Sequence, residues 1–149
     1  MVFQIAVGSV LLVVNILIAA VAAMLLELVF TRSHRWLLRE PHRPKLVIVV
    51  AGVSLWVLGV ITTCVWVWAL AYVWLGAFGT LEEAVYFSIV VFTTLGLGDV
   101  ILPLDWRILS GMEAANGFIN FGLLSALFIE ALRQIRLDQV ELRRRGRGD

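Results

Sequence analysis

The sequence predicts an all-α transmembrane protein, and three observations carry that prediction. The 149 residues are 61% hydrophobic, with a mean hydropathy of +0.96, too apolar for an ordinary soluble domain. Three apolar stretches, at about 2–30, 46–78 and 108–132, each exceed the ~20 residues a helix needs to cross a ~30 Å hydrocarbon core. The basic residues are segregated: five lie between 32 and 45, six between 133 and 147, and only Arg107 falls elsewhere.

The first stretch carries the small residues Ala19, Ala20, Ala22 and Ala23, which would suit a signal peptidase. It lacks a basic leading segment and its apolar run is too long for a signal peptide, so residues 1–31 read as an uncleaved helix. Asn15 within it reads as a bridge to a neighbouring helix. Residues 32–45 form a basic loop with Pro41 and Pro44. Its Trp36-Leu37-Leu38 patch either lies along the membrane surface or belongs to an ordinary loop; His34 and His42 read as solvated or facing headgroups.

The second stretch is long enough to tilt or to extend past the membrane. Trp66, Trp68, Tyr72, Trp74 and Trp106 gather near one end of the second and third spans, where rings favour the headgroup region and lipid-facing bulk is the simplest reading. Cys64 is the sole cysteine, and apolar packing suits it better than a redox role.

Between the second and third spans, Thr80-Leu81-Glu82-Glu83 has the form of a capping box: Thr80 accepts from the Glu83 amide while the Glu83 carboxylate reaches back. A helix over 81–92 follows, roughly 18 Å long at ~1.5 Å per residue. That is half a membrane, so the segment enters and returns. The negative end of its dipole then lies near mid-membrane and favours a cation. Thr93-Thr94-Leu95-Gly96-Leu97-Gly98-Asp99 comes next. Gly96 and Gly98 reach φ > 0 without a Cβ clash, which lets successive carbonyls of an extended chain aim one way. Non-helical backbone at that depth is tolerated only inside protein or beside water. One chain cannot enclose it, so an oligomer is implied.

Charge sets an orientation. The excess of basic residues places 32–45 and the tail in the cytoplasm and the N-terminus outside. The re-entrant segment then opens outward, among Glu82, Glu83, Asp99 and Asp105.

The run Thr94-Leu95-Gly96-Leu97-Gly98-Asp99 resembles the selectivity filter of pore-loop potassium channels, usually TVGYG or TVGFG followed by Asp. The likeness covers roughly 46–133. It implies an outer helix, a re-entrant pore helix, an extended filter and an inner helix, preceded here by one extra transmembrane helix, with four copies around one axis. Thr93, Thr94, Leu95, Gly96, Leu97 and Gly98 are then the ion-binding filter. Potassium would be held at Thr94, Leu95, Gly96 and Leu97, by rings of carbonyls and the Thr94 hydroxyl replacing its water shell.

Leu97 stands where the family usually has an aromatic residue. Tyr86 and Phe87 occupy the positions that brace the filter: Tyr86 through a hydrogen bond toward Asp99, Phe87 as an apolar partner opposite Leu97. Val90 stands where some bacterial relatives carry glutamate, so no buried carboxyl pair with Asp99 is expected. Gly117 matches the gating hinge. Asn120 and Ser125 would face the water-filled cavity, with interhelical bonding the rival role for Asn116. Close packing and flexing weigh equally at Gly122.

Glu27 and Glu130 are the acidic residues nearest the inner face. Glu130 reads either as part of a cation-attracting ring or as an i,i+3 partner of Arg133. The terminal arginine run reads as an anionic-lipid contact rather than an RNA-binding tail. No span carries the regularly spaced cations of a voltage sensor.

The function this resemblance implies is passive, potassium-selective conduction by a homotetramer in the plasma (inner) membrane. The expected partners are lipids and three further copies, with no nucleic acid, no soluble regulatory domain and no cofactor beyond permeant potassium. The alternatives are a weakly selective cation channel, because Leu97 loosens the filter, and a non-conducting accessory subunit. An enzyme is the weakest reading, since the spans carry no nucleophile–base set or metal cluster. The expected division is a helix at 1–31, a cytoplasmic loop at 32–45, a pore module at 46–133 and a cytoplasmic tail at 134–149.

Overall fold

Runs of Leu, Val, Ile and Ala without an internal proline continue as helix until a residue stops them. In the computed structural model, residues 1–37 and 42–145 are described, with side chains for 1–32, 47–130, 132 and 133. The Trp36–Leu38 patch, both histidines and the terminal arginine run have side chains outside that set. The elements are α1 (Val2–Leu37), α2 (His42–Trp74), α3 (Leu81–Phe92), a 3₁₀ turn (Leu104–Trp106) and α4 (Arg107–Arg145). Three segments are long and apolar enough to cross a membrane: Val2–Arg32, Val47–Trp74 and Leu104–Glu130. The all-α transmembrane fold is therefore the one the sequence predicts.

Helix ends differ from span ends. Helix α1 runs on to Leu37 and α2 begins at His42, so most of the expected loop at 32–45 has helical backbone. Hydropathy marks where a span stops, whereas Arg, Ser and Leu continue a helix readily. Pro44 falls in the first turn of α2, where its missing N–H leaves no hydrogen bond unmade. At the other end, α2 stops short of 78. Gly76 takes φ +67, Ala77 N–H donates to the Tyr72 carbonyl at 2.9 Å and Gly76 N–H to that of Val73 at 3.0 Å. This is a Schellman cap, which glycine permits.

Helix α3 starts at the predicted residue. Thr80 is its N-cap in extended conformation and accepts from the Glu83 amide at 3.3 Å. Among the described residues the reciprocal bond from the Glu83 carboxylate is not made, so half of the capping box forms.

Helices α1 and α2 form an antiparallel pair, tied where Trp56 Nε1 donates to the Ala22 carbonyl at 3.3 Å. Helix α4 runs parallel to α1. Gly8 there admits Met112 and Leu109: a Cβ on Gly8 would sit 2.4 Å from Met112 Sδ. The inward stripe of α1 is Gly8, Asn15, Ala19, Ala22 and Leu26, at helical spacing. Ser54, Thr62 and Thr63 donate to carbonyls four residues back, so these hydroxyls need no partner from the bilayer.

The core lies behind α3. Tyr72 meets Phe87 edge-on with centroids 5.4 Å apart, and Phe78 lies 5.1 Å from Phe87. Trp68 and Tyr72 are fully buried, whereas Trp66 and Trp74 are exposed. The lipid-facing reading thus fails for Trp68 and Tyr72, which lie on the side of α2 that α3 covers. Cys64 is buried, as apolar packing requires.

Candidate functional site

The site begins where α3 ends. Thr93 caps the helix, its hydroxyl donating to the Ile89 carbonyl at 2.7 Å. Thr93 is thus both the helix C-cap and the first residue of the exposed segment that follows. The Thr94 amide donates to Val91 at 2.8 Å, and those of Leu95 and Gly96 both donate to the Val90 carbonyl, at 3.0 and 3.2 Å. Val90 supports the strand through its backbone while its side chain is buried.

Positive φ recurs at Thr94 (59), Gly96 (61) and Gly98 (78), and Leu95 and Leu97 between them stay outside that region. The Leu95 and Gly96 amides, which share the Val90 carbonyl, lie on one side of the segment. Glycine at two positions was legible in the sequence. Threonine at the third was not, because a β-branched residue with φ > 0 is a true outlier. Residues 93–99 are all exposed in one chain. No carbonyl from Thr93 to Gly98 accepts a hydrogen bond among the described residues.

The Tyr86 hydroxyl donates to Asp99 Oδ2 at 2.5 Å, as the sequence suggested. That bond holds the Asp99 carboxyl below the usual carboxylate range and raises the Tyr86 phenol. Phe87 is placed differently from expectation. It packs back against Tyr72 and Phe78, while Leu97 is 59% exposed. The expected apolar pair of Phe87 with Leu97 does not form within one chain, because Phe87 lies on the buried face of α3.

Helix α4 has two faces. Gly111, Ala115, Phe118, Gly122, Ser125 and Ile129 form an exposed stripe at helical spacing, and Leu109, Glu113, Asn116, Asn120 and Leu124 a buried one. Ser125 is open. Asn120 is fully buried within its own chain, with Nδ2 donating to Asn116 Oδ1 at 2.7 Å. It does not line an open cavity, because it lies on the stripe that faces the other helices. Asn116 Nδ2, Asn120 Oδ1 and Asn15 Oδ1 are buried without a hydrogen-bond partner among the described residues. The Gly8 contact with Met112 and Leu109 sets α1 against α4.

Gly117 has a packing reason. A Cβ there would lie 1.8 Å from the Phe92 carbonyl oxygen. Gly122 has nothing within 4 Å in one chain. Near the end of the third span, Arg133 Nε donates to Glu130 Oε2 at 2.9 Å, the i,i+3 pair that was one of the two readings of Glu130.

Sequence reasoning missed Glu113. It is fully buried on α4; Tyr72 Oη donates to its Oε2 at 2.7 Å, and Ser88 Oγ of α3 contacts both Glu113 Oε1 and, at 3.0 Å, the Val65 carbonyl of α2. The available signal was the third span's hydropathy of 1.3, against 2.8 and 2.3 for the others.

The family model described as Ion channel matches residues 47–134, well over half of the chain. No curated protein and no solved structure matches it. The matched region begins where the second span begins and takes in α3, the carbonyl strand and the membrane part of α4. With a short helix between the second and third spans feeding a segment whose carbonyls accept no hydrogen bond among the described residues, the chain belongs to the pore-loop ion channel family.

Proposed function

We propose that the chain conducts potassium selectively and passively through a homotetrameric pore. One observation carries this reading: the alternating backbone of 94–98, whose carbonyls accept no hydrogen bond among the described residues. Unpaired backbone is not tolerated in lipid, and four such strands around an axis give each carbonyl a dehydrated cation to coordinate. Leu95, Gly96 and Leu97 then bind through carbonyls, and Thr94 adds its hydroxyl.

In this reading residues 46–133 are the conducting module, Ser125 faces the cavity and 1–31 is an additional helix packed on it. The chain sits in the plasma membrane with its N-terminus outside and 32–45 and 134–149 in the cytoplasm.

The test is ion flux into liposomes holding only the purified chain. Potassium uptake with a reversal potential near the potassium equilibrium value is the expected result. Equal sodium and potassium permeability would make it a weakly selective channel, and no flux from an assembled protein would make it an accessory subunit. Conduction by an isolated monomer would end the tetramer reading.

A further inference from the structure

We propose that Glu113 is held as a neutral carboxylic acid and acts as a positioning residue that fixes α3 against both α2 and α4. Its importance for conduction rests on the channel reading above; its protonation state does not.

The hydrogen bonds of the cluster fix its protons. Three oxygen–oxygen contacts link it: Tyr72 Oη to Glu113 Oε2, Ser88 Oγ to Glu113 Oε1, and Ser88 Oγ to the Val65 carbonyl oxygen. Each contact needs one hydrogen. The two hydroxyls supply one each, and the carbonyl oxygen supplies none. The third proton therefore belongs to the carboxyl group. Tyr72 donates to Oε2, Glu113 Oε1 donates to Ser88, and Ser88 donates to Val65. With an ionised Glu113, Ser88 would face two acceptors with one proton, and a full charge would sit inside the membrane.

Among the described residues the surroundings offer that charge no counterion. Helix α2 presents the Tyr72 phenol, with the Cys64 thiol beside Val65; α3 presents the Ser88 hydroxyl, and its own carboxylates, Glu82 and Glu83, are exposed at its far end. The inward stripe of α1 carries no ionisable group, and Arg107 is on the exposed side of α4. A buried charge without a partner is strongly disfavoured, whereas a neutral acid with both oxygens bonded is fully satisfied.

Helix α3 joins the cluster to the carbonyl strand. Ser88 is one turn before Phe92, and Val90, two residues after Ser88, holds the Leu95 and Gly96 amides. The bonds from Glu113 and Tyr72 thus set the depth and rotation of the helix from which the strand hangs.

The full chain in liposomes at neutral pH provides the test. Infrared spectroscopy should show the carbonyl stretch of a protonated carboxylic acid, and Glu113→Gln should remove it. A glutamine amide donates to Ser88 and accepts from Tyr72, so this variant should keep the parent's thermal midpoint and potassium flux. Glu113→Leu leaves the Tyr72 hydroxyl unpaired and removes the tie from α4 to Ser88, and should lower flux by about tenfold or more. Absence of the band, or its persistence in Glu113→Gln, overturns the neutral acid. A Glu113→Gln chain as impaired as Glu113→Leu overturns the positioning role. If the parent carries no potassium, the channel reading fails, and the band and thermal midpoints still decide this one.

Discussion

The hydroxyl of Tyr86 lies 2.5 Å from Oδ2 of Asp99, thirteen residues on, and closes the carbonyl strand back onto the helix that delivers it. The bond needs a protonated phenol and an ionised carboxylate. Asp99 has a depressed pKa, so its contribution is present above its unfolded pKa and is lost as pH falls through the folded value. Tyr86 has a raised pKa, so its contribution is present below its unfolded pKa and is lost as pH rises through the folded value. Flux should therefore be flat around neutrality and fall on external acidification. Tyr86→Phe should move that acid midpoint to higher pH, and an unmoved midpoint would detach the bond from conduction.

Gly96 sits at φ +61, and a Cβ added to it would meet nothing within 4 Å, so an alanine there encounters strain rather than a clash. Left-handed backbone costs an L-residue about 1–2 kcal/mol, a cost that each chain of the proposed tetramer would bear. Gly96→Ala should abolish potassium-over-sodium selectivity, read as a reversal potential. Leu97→Tyr should retain it, since only the side chain behind the carbonyl changes.

Gly117→Ala separates packing from bending. Its Cβ would fall inside the Phe92 carbonyl group, and overpacking of this kind costs about 1–3 kcal/mol or more. The thermal midpoint should drop clearly, whereas Gly122→Ala, with open space in its own chain, should leave it nearly unchanged. A variant with native stability and altered open probability would restore a pure hinge at Gly117.

Topology is testable without conduction. Eleven of the twelve basic residues lie at 32–45 or 133–147, and so one-sided a bias sets orientation. A cysteine at position 2, with Cys64 replaced, should react with an impermeant thiol reagent from outside only. Labelling from the cytoplasmic side alone would invert α1.

Local signals were legible in the sequence and long-range ones were not. Thr80 announced the start of α3 because an N-cap acts within one turn, and Gly96 and Gly98 announced positive φ because only backbone geometry is involved. Phe87 was misjudged because its partners Tyr72 and Phe78 lie outside α3, and Asn120 because a heptad-like spacing does not say which stripe of α4 faces the other helices of its own chain. Glu113 went unnoticed for a related reason: its partners Tyr72 and Ser88 are 41 and 25 residues away.

The contact between Gly117 and Phe92 is backbone against backbone, with no side chain between them to act as a cushion. Helix α4 continues unbroken from Arg107 to Arg145, so it is a rod whose bearing is the foot of the carbonyl strand. A tilt applied at its distal end arrives at Phe92 without slack, and Phe92 is the last residue of the helix from which Thr93 and Thr94 hang. The position of α4 and that of the Phe92 end of α3 are thus geared together. The gear tooth is a hydrogen atom, the one side chain small enough to let the two backbones mesh.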